Sequence, residues 1–89
     1  MAYRVEFSRR ADRDFRALAR QVQERLRQRI DALERNPRPV GAARLSAQDP
    51  LYRIRAGDYR IIYAVRDDIL LVLVVQVGHR RDVYRRIPG

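Results

Sequence analysis

Arginine, tyrosine and a single imidazole, His79, are the groups with reactive potential in the second half of this chain, and together they suit a phosphodiester. Cleaving RNA without a metal needs the ribose 2′-hydroxyl deprotonated, the phosphorane charge stabilised and the departing 5′-oxygen protonated. Arginine supplies the second requirement. Its planar fork holds phosphate oxygens through two bonds at once, and bases stack on its plane or on a tyrosine ring.

Other chemistries lack their groups. His79 has no second histidine and no cysteine to share a metal with, and the carboxylates of Asp67 and Asp68 fall at an inferred turn, so neither a metal nor another cofactor is expected. The glycines stand isolated at Gly41, Gly57, Gly78 and Gly89, which gives no phosphate-cradling loop. Nothing in the sequence brings Ser8 or Ser46 to His79, as a serine nucleophile would require.

The elements that must position these groups are readable from periodicity. Tyr3, Val5 and Phe7 alternate with Arg4 and Glu6, the pattern of a half-buried strand over Ala2 to Phe7. Ser8 then offers a helix N-cap, and Ala11, Phe15 and Leu18 form the apolar stripe of a short helix. A second helix from about Val22 carries Val22, Leu26, Ile30 and Leu33 on one face until Pro37 forbids continuation. Val40 to Pro50 reads as a loop. Three strands follow: Leu51 to Ala56, Tyr59 to Arg66 and Ile69 to Val77. The expected fold is α+β: one N-terminal strand, two helices, then a three-stranded antiparallel meander, with the helices on one face of the sheet.

Gly57-Asp58 is a two-residue hairpin signal, because glycine accepts the positive φ of the primed turns. Counting outward opposes Ala56 to Tyr59, Arg55 to Arg60, Ile54 to Ile61, Arg53 to Ile62 and Tyr52 to Tyr63. One face is then apolar and aromatic, while the other, expected to be open, carries Arg53, Arg55 and Arg60. Like charges directly opposed across two strands cost ~0.2–1 kcal/mol. Either an anion relieves that repulsion or the long side chains splay into water. Asp67-Asp68 closes a second hairpin with Arg66 opposite Ile69, and the last strand, apolar on both faces, reads as internal or covered.

The 89 residues form one domain over 1–89, 46% apolar and 35% charged, with no cysteine. All twenty basic residues are arginine against eleven acidic ones, a net charge of +9 that favours polyanions, although a generally basic protein with no nucleic-acid role has the same sign. The amino terminus lacks the pattern of a signal peptide, and the apolar run Ile69 to Val75 is too short to span a bilayer. A soluble, cytoplasmic protein is expected.

The segments YRIRAGDYRIIYAV and VGHRRDVYRR, with YRVEFSRRADRDFRAL at the start, resemble the RelE/ParE toxin superfamily over nearly the whole chain. The resemblance implies a RelE-like microbial ribonuclease-type fold and a toxin of a type II toxin–antitoxin system. In the RelE branch, it implies an endoribonuclease acting on messenger RNA in the ribosomal A site. The 2′-hydroxyl attacks the adjacent phosphate, leaving a 2′,3′-cyclic phosphate and a 5′-hydroxyl. By position it assigns catalytic roles to Arg55, Arg60, Arg80 and Tyr84, and phosphate binding to Arg53. Arg81, Arg85 and Arg86 extend the basic tail, either as RNA contacts or as charges that keep the end solvated. Relatives often carry lysine at positions 53 and 55, one of them a candidate general base. Arginine stays protonated, so Arg55 would orient or stabilise and His79 or Tyr84 would shuttle protons.

Two rivals share the fold: a ParE-type toxin that inhibits DNA gyrase by binding protein, and a purely binding member acting as co-repressor. The basic face and the Arg80/Tyr84 pair favour the nuclease. The implied partners are the ribosome, messenger RNA and a cognate antitoxin, acidic where it wraps the sheet, through which the complex binds operator DNA.

Overall fold

A computed structural model describes residues 2–45 and 50–79. Strand β1 (Arg4–Phe7) leads into helices α1 (Arg9–Arg16) and α2 (Arg20–Ala32), followed by β2 (Ala43–Arg44), β3 (Leu51–Ala56), β4 (Tyr59–Arg66) and β5 (Leu71–His79). They form one five-stranded sheet in the order β1-β5-β4-β3-β2. β1 runs parallel to β5 and every other pair is antiparallel. The expected α+β architecture is therefore present, and β5 is internal, as its two-sided apolar sequence requires.

Local chemistry sets the helix ends. The Ser8 side chain accepts from the Ala11 N–H at 3.1 Å, while Asp12 in the first turn and Arg13 and Arg16 in the last complement the helix dipole. The Gln23 amide reaches back from α2 to donate to the carbonyls of Leu18 (2.9 Å) and Arg16 (3.2 Å), satisfying acceptors that the end of α1 leaves open. α2 begins at Arg20, two residues before its apolar stripe, and stops at Ala32, short of Pro37. The stripe marks the buried face and not the first turn, which explains the early start.

Both helices lie on one face of the sheet. Ala11, Phe15, Leu26, Ile30 and Leu33 pack with Ile54, Ala56, Ile61, Tyr63, Val65, Val72, Val74 and Val77. Phe7 and Phe15 meet edge to face at 5.5 Å, and the Arg27 guanidinium covers both rings at 5.8 and 5.1 Å, closing the β1 side of the core.

Three features differ from the sequence expectation. The segment read as a loop contains β2, whose two residues pair with Arg53 and Tyr52. Two residues are too few to leave a periodic signal. The second hairpin pairs Arg66 with Leu71, not Ile69. Asp67 to Leu70 form its turn, and Leu70 takes the left-handed conformation at φ 51°. Third, β5 carries a bulge: Ile62 pairs with Gln76 but Tyr63 with Val74, leaving Val75 as the extra residue. Alternation reverses there, so Val72, Val74 and Val77 all reach the core although their numbers differ in parity. The end of β1 is tied to this point, with the Ser8 N–H donating to the Val74 carbonyl at 2.8 Å and its hydroxyl to that of Val75 at 3.3 Å.

Candidate phosphate-binding face

The first hairpin has the register that Gly57-Asp58 implies, with Arg55 opposite Arg60 and Arg53 opposite Ile62. Gly57 has φ 63°, which glycine adopts without strain. Arg53, Arg55 and Arg60 thus share the sheet face away from the helices. That face is not open throughout: Arg60 is only 8% exposed, Arg53 is half-buried and Arg55 is exposed. Position fits the gradient, because β4 is central and flanked by β3 and β5, whereas Arg55 stands on β3 near the sheet margin.

Neighbouring positions shape the row. Gly78 is opposite Arg60 on β5 and brings no side chain to that position. Gln76, opposite Ile62, is 5% exposed and places an amide on the same face. Sequence reasoning passed over Gln76. Its signal was being the one polar residue within ILLVLVVQV, and its direction depends on the bulge.

His79 is not brought to the arginine row. It pairs with Tyr59, and the two rings meet edge to face at 5.7 Å on the helix side of the sheet, in a groove shared with Asp14 and Leu18. Arg80, Arg81, Tyr84, Arg85 and Arg86 lie outside the described residues.

A polar clasp fixes the strand that carries Arg53 and Arg55. Arg38, in the connector after α2, donates from Nε to the Tyr52 hydroxyl at 2.9 Å and from Nη1 and Nη2 to Asp67 at 3.2 and 2.7 Å. Tyr3 donates to the same carboxylate at 2.6 Å. The Tyr52 ring stacks on Tyr63 at 5.8 Å, and the Tyr63 hydroxyl donates to the Pro37 carbonyl at 2.7 Å. Burial pushes the Tyr63 hydroxyl up to about 12, so it stays a donor at neutral pH.

Arg38, and after it Tyr3, hold the Asp67 carboxyl below its ordinary value. A carboxyl whose pKa is lower folded than unfolded stabilises the fold above the unfolded value, ~3.9, and that contribution disappears as pH falls through the folded value. Thermal melts should therefore show Asp67→Asn less stable than the parent at pH 7, with the gap closing in acid below the folded value. An equal gap at both ends would show that the carboxylate charge is not what the clasp uses.

Among the described residues no group of three or more histidine, cysteine or acidic side chains is placed to hold a metal, and no helix is long and apolar enough to cross a membrane. What the face offers is three guanidinium groups of graded burial and a buried amide, groups that can receive a phosphate.

Comparison with known proteins places the chain by sequence and by fold. The family described as "ParE toxin of type II toxin-antitoxin system, parDE" matches residues 5–84. The mRNA interferase toxin RelE of Escherichia coli is 34% identical over 88 residues, covering 94% of this chain and 92% of the relative. Toxin RelG of Mycobacterium tuberculosis is 31% identical over 97% of this chain and all of the relative. Among solved structures, the toxin in the intact E. coli RelBE toxin–antitoxin complex superposes with a TM-score of 0.77 at 30% identity, over 88% of this chain and 96% of that one. The isolated E. coli RelE toxin gives 0.79 at 27%, over 97% of this chain and 100% of that one. Matched along almost its whole length, in sequence and in fold, the chain belongs to the ParE toxin family of type II toxin–antitoxin systems, within the RelE/ParE superfamily.

Proposed function

We propose that this protein is the toxin of a type II toxin–antitoxin system and a metal-independent endoribonuclease that cuts messenger RNA on the ribosome and so inhibits translation. The observation that carries the reading is the cross-strand pair Arg55 and Arg60 beside Arg53 on the face away from the helices. A sheet gains nothing from opposing two arginines, and a phosphate between them removes the repulsion. Relatives named mRNA interferase, at 34% identity, support the same activity.

In the reaction the 2′-oxygen bonds to phosphorus and the bond to the 5′-oxygen breaks, leaving a 2′,3′-cyclic phosphate and a 5′-hydroxyl. Arg60, held by burial, faces the phosphorane oxygens, where a fixed donor stabilises developing charge without reorganising. Arg55 orients the phosphate from the exposed side and Arg53 binds it. Arg80 adds a further cation, Tyr84 carries the proton transfer, and Arg81 and Arg85 hold neighbouring phosphates. His79, on the helix side, takes no direct part. The antitoxin is an acidic segment that wraps the sheet and neutralises these arginines, its complex binds operator DNA through the antitoxin, and the toxin acts in the cytoplasm.

The test adds the purified protein to programmed ribosomes and, separately, to a gyrase supercoiling assay. Cuts inside codons, bearing 5′-hydroxyl ends that a kinase labels without prior phosphatase, are expected. Intact transcripts with blocked supercoiling would instead make the protein a gyrase inhibitor.

A further inference from the structure

Four exposed arginines of the helical layer have a carboxylate partner close by: Arg10 and Arg13 share Asp14, Arg16 meets Asp12, and Arg20 meets Glu24. Arg25, Arg29 and Arg55 are exposed and have no carboxylate within ion-pair distance among the described residues. Asp58, next to Gly57 in the turn, does not pair with them either. Yet the three converge. Arg25 Nη1 lies 3.3 Å from where a Cβ on Gly57 would stand, against the turn that joins β3 to β4. Arg29 lines one cleft with Arg55, floored by Ala32, Pro39 and Ile54.

The topology explains how residues from two layers meet. β2 pairs only with Tyr52 and Arg53, so the margin of β3 from Ile54 to Ala56 has no strand beside it among the described residues. Arg55, on the face away from the helices, therefore reaches the same margin as the α2 arginines. Arg25 and Arg29 are four residues apart, roughly 6 Å along the helix axis, on one side of α2.

We infer that Arg25, Arg29 and Arg55 form a second phosphate-binding track that leads the RNA backbone from the sheet arginines around the bare margin of β3 onto α2. The inference rests on the nuclease reading above, since Arg55 belongs to both sets through its pairing with Arg60. A phosphodiester chain carries a charge at every repeat and can run from Arg60 past Arg55 to Arg29 and Arg25 without a break. An acidic strand added to the same margin alternates its side chains between two faces, so only half of them meet each group of arginines.

The test measures binding of a short, uncleavable 2′-O-methyl oligouridine across a salt series, for the parent and for R25Q/R29Q. Each lost single-strand phosphate contact removes ~0.7 from the slope of log affinity against log salt, so the double variant should be shallower by about 1.4. R25K/R29K, which keeps both charges, should retain the parental slope and shows that the change is electrostatic. An unchanged slope in R25Q/R29Q overturns the track. Oligoglutamate is run in parallel: weakened binding of that peptide with an unchanged RNA slope would assign the groove to an acidic protein segment and overturn the inference. Cleavage by the parent is scored separately on ribosomes, so the nuclease reading can fail while the slope still decides the track.

Discussion

Arg60→Ala is expected to slow single-turnover cleavage on programmed ribosomes by about 10²–10³-fold, the loss that follows removal of one preorganised donor to a developing oxyanion. Its effect on the melting temperature is the balance of two opposed terms, the lost packing of a side chain only 8% exposed and the relief of a like-charge pair. Arg60 stands directly opposite Arg55, so its removal relieves a like-charge pair costing ~0.2–1 kcal/mol. Activity should therefore fall on ribosomes at temperatures where the variant is still fully folded, which the loss of a residue kept only for packing would not cause. Arg60→Lys should recover little, because an ammonium cannot offer the two parallel bonds of the guanidinium fork. Full cleavage by the alanine variant would remove Arg60 from the mechanism and return the exposed Arg55 to first place.

Ile30→Ala should be strongly destabilising, as should truncation of Leu26, the other fully buried residue of α2. Ile30 is fully buried and packs with the sheet core. Shortening a buried isoleucine to alanine costs ~2–5 kcal/mol, against a total of ~5–15 kcal/mol for a typical domain. For a chain of this size the melting temperature should fall on the order of 10 °C or more. Urea unfolding with an unchanged m-value would assign the loss to the native core. A loss below ~1 kcal/mol would mean that the two helices close over the gap.

The sheet arginines are legible in the sequence because a two-residue loop fixes register by counting. Gly57-Asp58 determines every partner from Ala56 and Tyr59 outward, and the structure reproduces each one. The core face is legible for a similar reason, since Leu26, Ile30 and Leu33 repeat at helical spacing. What escapes is non-local. β2 is too short for a period, the clasp of Arg38, Asp67, Tyr3 and Tyr52 joins residues up to 64 apart, and the turn at Leu70 spends an apolar residue where the pattern suggests strand. The depth of Arg60 follows from strand order, which hairpin pairing alone does not contain.

The extra residue at Val75 works as a frame shift written in three dimensions. Up to Val74 the even positions of β5 face the helices, and from Gln76 onward the odd ones do. An alignment of relatives by alternating hydropathy alone would therefore assign every side chain beyond this point to the wrong surface. For evolution or engineering the bulge is therefore the one place in β5 where a residue can be lost without disturbing either surface: deleting Val75 would join Val74 to Gln76 in regular alternation and leave Gln76 beside Arg60 and His79 on the helix side, whereas a deletion on either side of it would have to be absorbed by the bulge.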